Sequence, residues 1–239
     1  MRLQKFLAHA GACSRRTGEK WVAEGRVSVN GKVVTTPGTV VDPEADEIRL
    51  DGKRLTIPRD NLTIALNKPE GFVSSCHQPQ ERTVLELVDT PRRLYPIGRL
   101  DKDSTGLLLL TDNGMLHHQL SHPSFNHEKE YIVKTARPVS DKDLERLARP
   151  MNILGKKTRP ARVKRRGRDT FSIILKEGMN RQVRRMVGKT GHRVVSLHRV
   201  RMGSIRLGNL GPGQWRKLSE KEVSGLLARP SAKKTDGTA

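Results

Sequence analysis

An aspartate inside a glycine- and charge-rich loop is the first place in this chain where chemistry could happen. The loop reads Tyr95-Pro-Ile-Gly-Arg-Leu-Asp101-Lys-Asp-Ser-Thr-Gly106 and feeds straight into the apolar Leu107–Leu110. Polar loops held by a rigid buried strand are where catalytic side chains tend to sit. By itself Asp101 fits a turn-forming role as well as a catalytic one. Two other stretches carry suitable groups, His127-Glu-Lys-Glu-Tyr131 and Glu177-Gly-Met-Asn-Arg-Gln-Val-Arg184-Arg-Met186. In the second, Val183, Met186 and Val187 share one face of a helix, which leaves Arg181, Arg184 and Arg185 for a cleft, a polyanion or plain solvent. Tyr131, beside Ile132 and Val133, reads by pattern alone as a core tyrosine. His117-His118 with His122 invites a zinc site. No third ligand or HExxH glutamate accompanies the i, i+4 pair, so no metal is expected.

Helices and strands must hold these groups in place. Leu3, Phe6, Leu7 and Ala10 recur at helical spacing before a stop at Gly11, and Ser14 opens a second helix over Arg15–Glu24, closed by Gly25. Arg15 and Arg16 sit in its first turn. Positive charge there opposes the helix dipole by a few tenths of a kcal/mol, which points to arginines serving a ligand rather than the helix. Asn30-Gly31 between valines, and Asp51-Gly52 after Ile48-Arg49-Leu50, predict two tight hairpins. This small unit ends near Leu55, and Pro58-Arg59-Asp60-Asn61 reads as a linker. Beyond it, strands are predicted at Leu62–Leu66, Gly106–Thr111, Tyr131–Lys134 and Thr170–Leu175. Helices near Asp141–Arg149 and Glu220–Ala228 follow capping boxes at Ser140/Asp143 and Ser219/Glu222. The mixed order predicts an α+β fold. From Pro230 nothing remains to bury, so a disordered tail is expected over 230–239.

Charge narrows the partners. Lys+Arg number 46 against 25 Asp+Glu, a net charge of +21 with a pI near 10.7, and such an excess calls for something anionic opposite it. RNA or DNA is the leading partner. Aromatic residues make up only 3 % of the chain, too few for a stacking platform along many bases, so shape and backbone recognition are expected. Neither a membrane span nor a signal-peptide core is visible, which predicts a cytoplasmic protein with no membrane partner. Cys13 and Cys76, far apart and without CxxC spacing, suit a reducing compartment.

The helix, Ser-Arg-Arg turn, helix and Val-Ser-Val-Asn-Gly-Lys hairpin resemble the αL RNA-binding motif of a ribosomal small-subunit protein and of several RNA-modifying enzymes. Thr17 and Gly18 stand where many relatives carry an acidic residue and an alanine, which predicts a less stable second helix. Downstream, Leu66-Asn-Lys-Pro-Glu-Gly71, the string Gly98-Arg-Leu-Asp101 through Gly114, His127–Tyr131 and Glu177–Met186 are similar, in this order, to the signatures of the RsuA/RluB/RluE/RluF group of pseudouridine synthases. Within it the RluF type is nearest. The resemblance implies that Asp101 is the essential carboxylate, that Tyr131 packs on the target base and that Arg184 pairs with the aspartate. It implies substrate contacts for Arg99, Lys68, Leu197, Arg181 and Arg185, with Arg15 and Arg16 docking RNA. Arg99 would fill the gap left by an extruded nucleotide, and Leu197 would line the uracil pocket. Met179 replaces an arginine of many relatives, which removes one phosphate contact.

The expected layout is an αL RNA-binding domain over 1–55, a linker over 56–61 and a pseudouridine synthase domain with a mixed, mostly antiparallel sheet over 62–229. The expected activity is isomerisation of one uridine in ribosomal RNA, of the large subunit, by base flipping and without cofactor or metal. A monomer acting on ribosomal RNA or ribosome assembly intermediates is expected, with transfer RNA left open as a second substrate. The alternative is a non-catalytic RNA-binding or ribosome-assembly protein on the same fold. Affinity for RNA should fall steeply between about 50 and 200 mM salt as phosphates exchange counterions for Lys and Arg; a flat titration would contradict this reading.

Overall fold

The computed structural model describes residues 1–58, 60–121 and 127–227. Ala228, the tail expected over 230–239, Arg59 of the linker and His122 lie outside them. The chain divides into two compact units. The first comprises Met1–Leu62 with Thr90–Tyr95 and Thr111–Gly114; the second comprises Thr63–Asp89, Pro96–Leu110 and the chain from Met115 onward.

In the first unit α1 (Leu3–His9) and α2 (Arg15–Ala23) precede a four-stranded sheet of β1 (Val27–Val29), β2 (Lys32–Val34), β3 (Ile48–Leu50) and β4 (Lys53–Arg54), ordered β2-β1-β3-β4. Ser14 caps α2 by accepting from Thr17 N–H at 3.0 Å. The tight turns form where Asn-Gly and Asp-Gly predict them, with φ of 51° and 78° at Asn30 and Gly31 and of 48° and 79° at Asp51 and Gly52. Gly18 lies where α1 and α2 pack together. A Cβ there would lie 3.3 Å from both Cys13 Sγ and Leu7 Cδ1, so the glycine lets α1 and α2 approach closely. Leu3, Phe6, Leu7, Val22, Val27 and Ile48 form the core beneath them.

The second unit is built on a large sheet. Its elements are β5 (Thr63–Lys68), a 3₁₀ turn at Val84–Leu87, β6 (Tyr95–Ile97), β7 (Thr105–Thr111), α3 (Gly114–Ser121), β8 (Lys129–Thr135) and α4 (Asp141–Ala148). They continue with β9 (Asn152–Ile153), β10 (Lys156–Lys157), β11 (Arg162–Arg165), β12 (Thr170–Leu175), α5 (Gln182–Lys189), β13 (Val194–Met202), β14 (Ile205–Arg206), β15 (Trp215–Lys217) and α6 (Glu220–Leu227). The sheet runs β11-β12-β8-β13-β7-β5-β15, with β14 beside β13 and β6 beside β7, while β9 and β10 form a separate hairpin. Strands β11, β12, β8 and β13 pair antiparallel in succession, as do β5 and β15. By contrast β13 and β7 pair in parallel, at His198↔Thr105 and Arg199↔Gly106. The fold is α+β, mixed and mostly antiparallel.

The central β13 escaped the sequence reading. Register shifts between Val194 and Ser196 and between Arg199 and Arg201 break its alternation twice, so the period-2 signal of a strand never builds up. Arg181 also departs from expectation. It is the N-cap of α5, with φ of 51° in the left-handed region, rather than a residue of the helix. The reciprocal capping box at Ser219 and Glu222 is present, each backbone N–H donating to the other's side chain at 2.9 and 3.3 Å.

The parallel pairing of β7 with β13 depends on one glycine. At φ of +100°, a Cβ on Gly106 would stand 2.3 Å from Arg199 O and 2.7 Å from its N, atoms of backbone that cannot step aside. Gly106→Ala should therefore lower unfolding stability by about 3 kcal/mol or more, combining left-handed strain with overpacking. Denaturant melts with the wild-type midpoint would disprove the close approach.

Candidate active site

A cavity of about 740 Å³ opens in the second unit. The Gly98–Ser104 loop forms one wall, β8 and β13 supply its floor through Lys129, Tyr131, Leu197 and Arg199, and the turn from β12 into α5 forms the far side. Asp101 and Glu177 are the carboxylates on its lining, against a majority of Lys and Arg. Such a lining suits a ligand with a phosphate backbone.

Asp101 is 30 % exposed at this cavity, and Arg181 Nη1 lies 3.6 Å from its Oδ2. Arg181 spends its stronger bonds on Asp103, donating to both carboxylate oxygens at 3.1 and 3.0 Å. Arg184 does not meet Asp101, contrary to the expected pairing. Its Nη2 donates to Asp103 O at 2.8 Å and lies 3.3 Å from Asp103 Oδ2, and it is absent from the cavity lining. The reason is reach: the loop turns Asp103 toward α5 and Asp101 toward the cavity. Burial acts to raise the Asp103 carboxyl, but the Arg181 bond and the charges of Arg184 and Arg181 outweigh it and hold the group below its usual range.

Lys68 also needs correction. Rather than reaching substrate, its side chain is fully buried and donates to the carbonyls of Pro69 (2.9 Å), Ser104 (2.7 Å) and Lys102 (3.4 Å). It is a clamp on the loop that carries Asp101. Ser74 is a second clamp that sequence reading missed; its Oγ donates to Leu100 O at 2.9 Å and accepts from Leu100 N–H at 3.1 Å. Only the fold brings residue 74 to residue 100, so no local pattern marks it.

The other expected residues fall into groups. Arg99 lines the cavity from the exposed side, while Tyr131 and Leu197 are buried on its floor. Arg185 is exposed on α5 and its Nε donates to Asn180 O at 3.1 Å. Arg15 and Arg16 are exposed on α2 in the first unit. Two cavity residues went unnoticed. Lys129 lies two residues before Tyr131 and Arg199 two after Leu197, so strand alternation could have placed both on the same face. Burial pushes Lys129 down to about 8, and the charge of Arg199 adds to that push. Arg199 is buried, with Nε donating to Leu107 O at 2.6 Å. Among the described residues no cluster of three His, Cys, Asp or Glu is arranged for a metal.

Comparison with known proteins gives the family. The family model described as RNA pseudouridylate synthase matches residues 62–189, and the S4 domain model matches 1–48. A protein named dual-specificity RNA pseudouridine synthase RluF from Salmonella typhi is 36 % identical over 250 residues, covering 100 % of this chain and 86 % of that protein. Ribosomal large subunit pseudouridine synthase B of Bacillus subtilis is 38 % identical over 236 residues, covering 95 % of this chain and 96 % of its own. A crystal structure of a pseudouridylate synthase superposes with a TM-score of 0.70 at 32 % identity, covering 95 % of this chain and 99 % of that one. The chain belongs to the RNA pseudouridylate synthase family, with an N-terminal S4 domain.

Burial pushes Lys68 down to about 8, partly offset by the charges of Asp103, Glu70 and Asp101. A lysine with a lowered folded pKa binds fewer protons than in the unfolded chain between about pH 8 and 10.5, so its contribution to stability rises with pH across that window. Stability of the wild type relative to Lys68→Met should accordingly increase from pH 8 to 10.5, by at most about 1.4 kcal/mol per pH unit. Parallel pH profiles of the two proteins would show that Lys68 is not the buried ammonium described.

Proposed function

We propose that this protein converts one uridine of ribosomal RNA, in the large subunit, to pseudouridine, with Asp101 as the essential carboxylate. The observation that carries this reading is the placement of Asp101, inside the segment that matches the synthase family, on the lining of a basic cavity that Tyr131 and Leu197 also line. The reaction breaks the C1′–N1 glycosidic bond, rotates the base and forms C1′–C5; the proton lost from C5 is balanced by one gained at N1. A carboxylate beside the sugar is the group such a step requires. Tyr131 offers the freed uracil a flat apolar wall. Extruding the nucleotide costs a few kcal/mol of stacking, which the planar guanidinium of exposed Arg99 can partly replace in the vacated stack.

The roles of the arginines follow from their contacts. Arg181 is the cation nearest Asp101 and Arg184 positions the loop through Asp103. Residues 1–55 dock RNA through exposed Arg15 and Arg16, residues 56–61 link, and 62–229 hold the chemistry. The S4 match supports RNA docking, the name of the RluF-type relative supports an RNA substrate, and that of the Bacillus subtilis relative supports the ribosomal large subunit. We place the protein in the cytoplasm as a monomer; no described helix is long and apolar enough to cross a membrane.

Asp101→Asn should leave RNA affinity within a few-fold of wild type and slow pseudouridine formation by about a thousandfold or more. Single-turnover conversion of ribosomal RNA transcripts at the wild-type rate would remove Asp101 from the mechanism. Pseudouridine mapping in a deletion strain should show a loss in large-subunit RNA, and a loss confined to the small subunit would overturn that assignment.

A further inference from the structure

A line of positive charge leaves the cavity along α5. Arg185 and Lys189 are spaced i, i+4 on α5 and both are exposed, the N-cap Arg181, bonded to Asp103, stands ahead of them, and Val183, Met186 and Val187 bury the opposite face. Arg181 lines the cavity. At 1.5 Å per residue the stripe extends about 12 Å to Lys189. There it meets a second, open cleft of about 550 Å³, lined by Arg146, Arg149, Pro150, Met151, Asn152 and Lys189. Lys157, exposed and paired in register with Asn152 across the β9–β10 hairpin, stands at its edge. Arg146 meets a carboxylate, Asp143, at 3.6 Å; among the described residues Arg149, Lys157 and Lys189 form no ion pair.

The hairpin tip is the second observation. Leu154 has φ of 51° and is 60 % exposed, whereas the two tight turns of the first unit place Asn30 and Asp51 at the equivalent left-handed position. Leucine has no local hydrogen bond to offer in that conformation, so it is strained by about 1 kcal/mol or more, and exposure returns no packing. Helix C-termini favour cations and account for some of the charge near Lys189. They do not account for Lys157 or for a strained, exposed leucine beside it.

We infer that the α5 stripe, the Arg149–Lys189 cleft and the Leu154 hairpin form a second RNA-binding surface, which holds the stem adjoining the flipped uridine. The inference rests on RNA being the substrate and deepens that reading. Phosphates of one strand follow the stripe from the cavity to the cleft, and the hairpin tip lies against the groove, whose wide and shallow minor face in A-form RNA admits an apolar contact of this size. Phosphate contacts of this kind set register and orientation rather than read sequence. They add affinity for the stem and do not touch the reacting nucleotide.

The test uses the full chain with Arg149→Glu/Lys157→Glu and, separately, Leu154→Asn. The probes are transcripts of the large-subunit segment containing the mapped uridine, with a long or a short flanking stem. The charge variant should bind the long-stem RNA about tenfold more weakly, with a log K against log[salt] slope smaller in magnitude by about 1.5–2, as expected when two phosphates are no longer neutralised. On the short-stem RNA it should match the wild type, and conversion at saturating long-stem RNA should proceed at the wild-type rate. Leu154→Asn should melt at or above the wild-type temperature and still bind long-stem RNA less tightly. Equal affinity for long-stem RNA, an equal loss on both RNAs, or a slower saturated rate would each overturn the proposal. Should the double variant fail to fold, Arg149→Gln reads the same slope without introduced repulsion, with a decrease of about 1 expected and an unchanged slope counting against the surface. A wild type that forms no pseudouridine yet shows these differences would refute the activity and leave the surface standing.

Discussion

A buried ammonium governs the candidate site. Lys68, fully removed from solvent, has carbonyls of residues 69, 102 and 104 around its Nζ, so the segment carrying Asp101 is drawn around a buried charge. Burying an ammonium is unfavourable unless hydrogen bonds and opposite charge surround it. Asp103, Glu70 and Asp101 provide that charge. The same lysine that is costly to bury therefore also fixes where the loop's carboxylates lie. Gly71 N–H donating to Lys102 O at 2.9 Å and the Ser74–Leu100 bonds close the arrangement from the other side.

Sheet topology does the rest of the positioning. Because β7 follows the loop and pairs in parallel with β13 at Gly106↔Arg199, Asp101 is delivered beside the stretch of β13 that contains Leu197 and Arg199. Antiparallel pairing of β8 with β13 then sets Tyr131 opposite Arg199. Three chain segments far apart in sequence thus converge on one cavity through backbone pairing, and the Lys68 and Ser74 side chains fix the loop there.

Asp103 organises the arginines. By accepting from Arg181 on both oxygens and lying 3.3 Å from Arg184, it gathers two guanidiniums on the outer side of the loop. Arg181 is left 3.6 Å from Asp101, near enough to be felt and too far for a strong hydrogen bond. Arg184 also holds the loop backbone, donating to Asp103 O at 2.8 Å.

Local rules were enough for much of this protein. The Asn-Gly and Asp-Gly turns, the Ser14 cap, the apolar face of α5 and the β7 and β12 strands are each specified by a few neighbouring residues, because turn chemistry, capping and periodicity act over one or two turns of chain. The motifs around Asp101, Tyr131 and Arg184 were legible for the same reason, as contiguous strings. What each group touches was not. Lys68 as a buried clamp, Asp103 rather than Asp101 as the partner of Arg184, and Ser74 on Leu100 all join residues whose separation along the chain hides them. The bulged β13 was hidden as well, since its register is imposed by β7 and β8 on either side rather than by its own alternation. Sequence by itself determined the family, the local elements and the types of reactive group. Tertiary structure alone decided which charge faces which, because ion pairs and buried hydrogen bonds are settled by distances of an ångström that only packing defines.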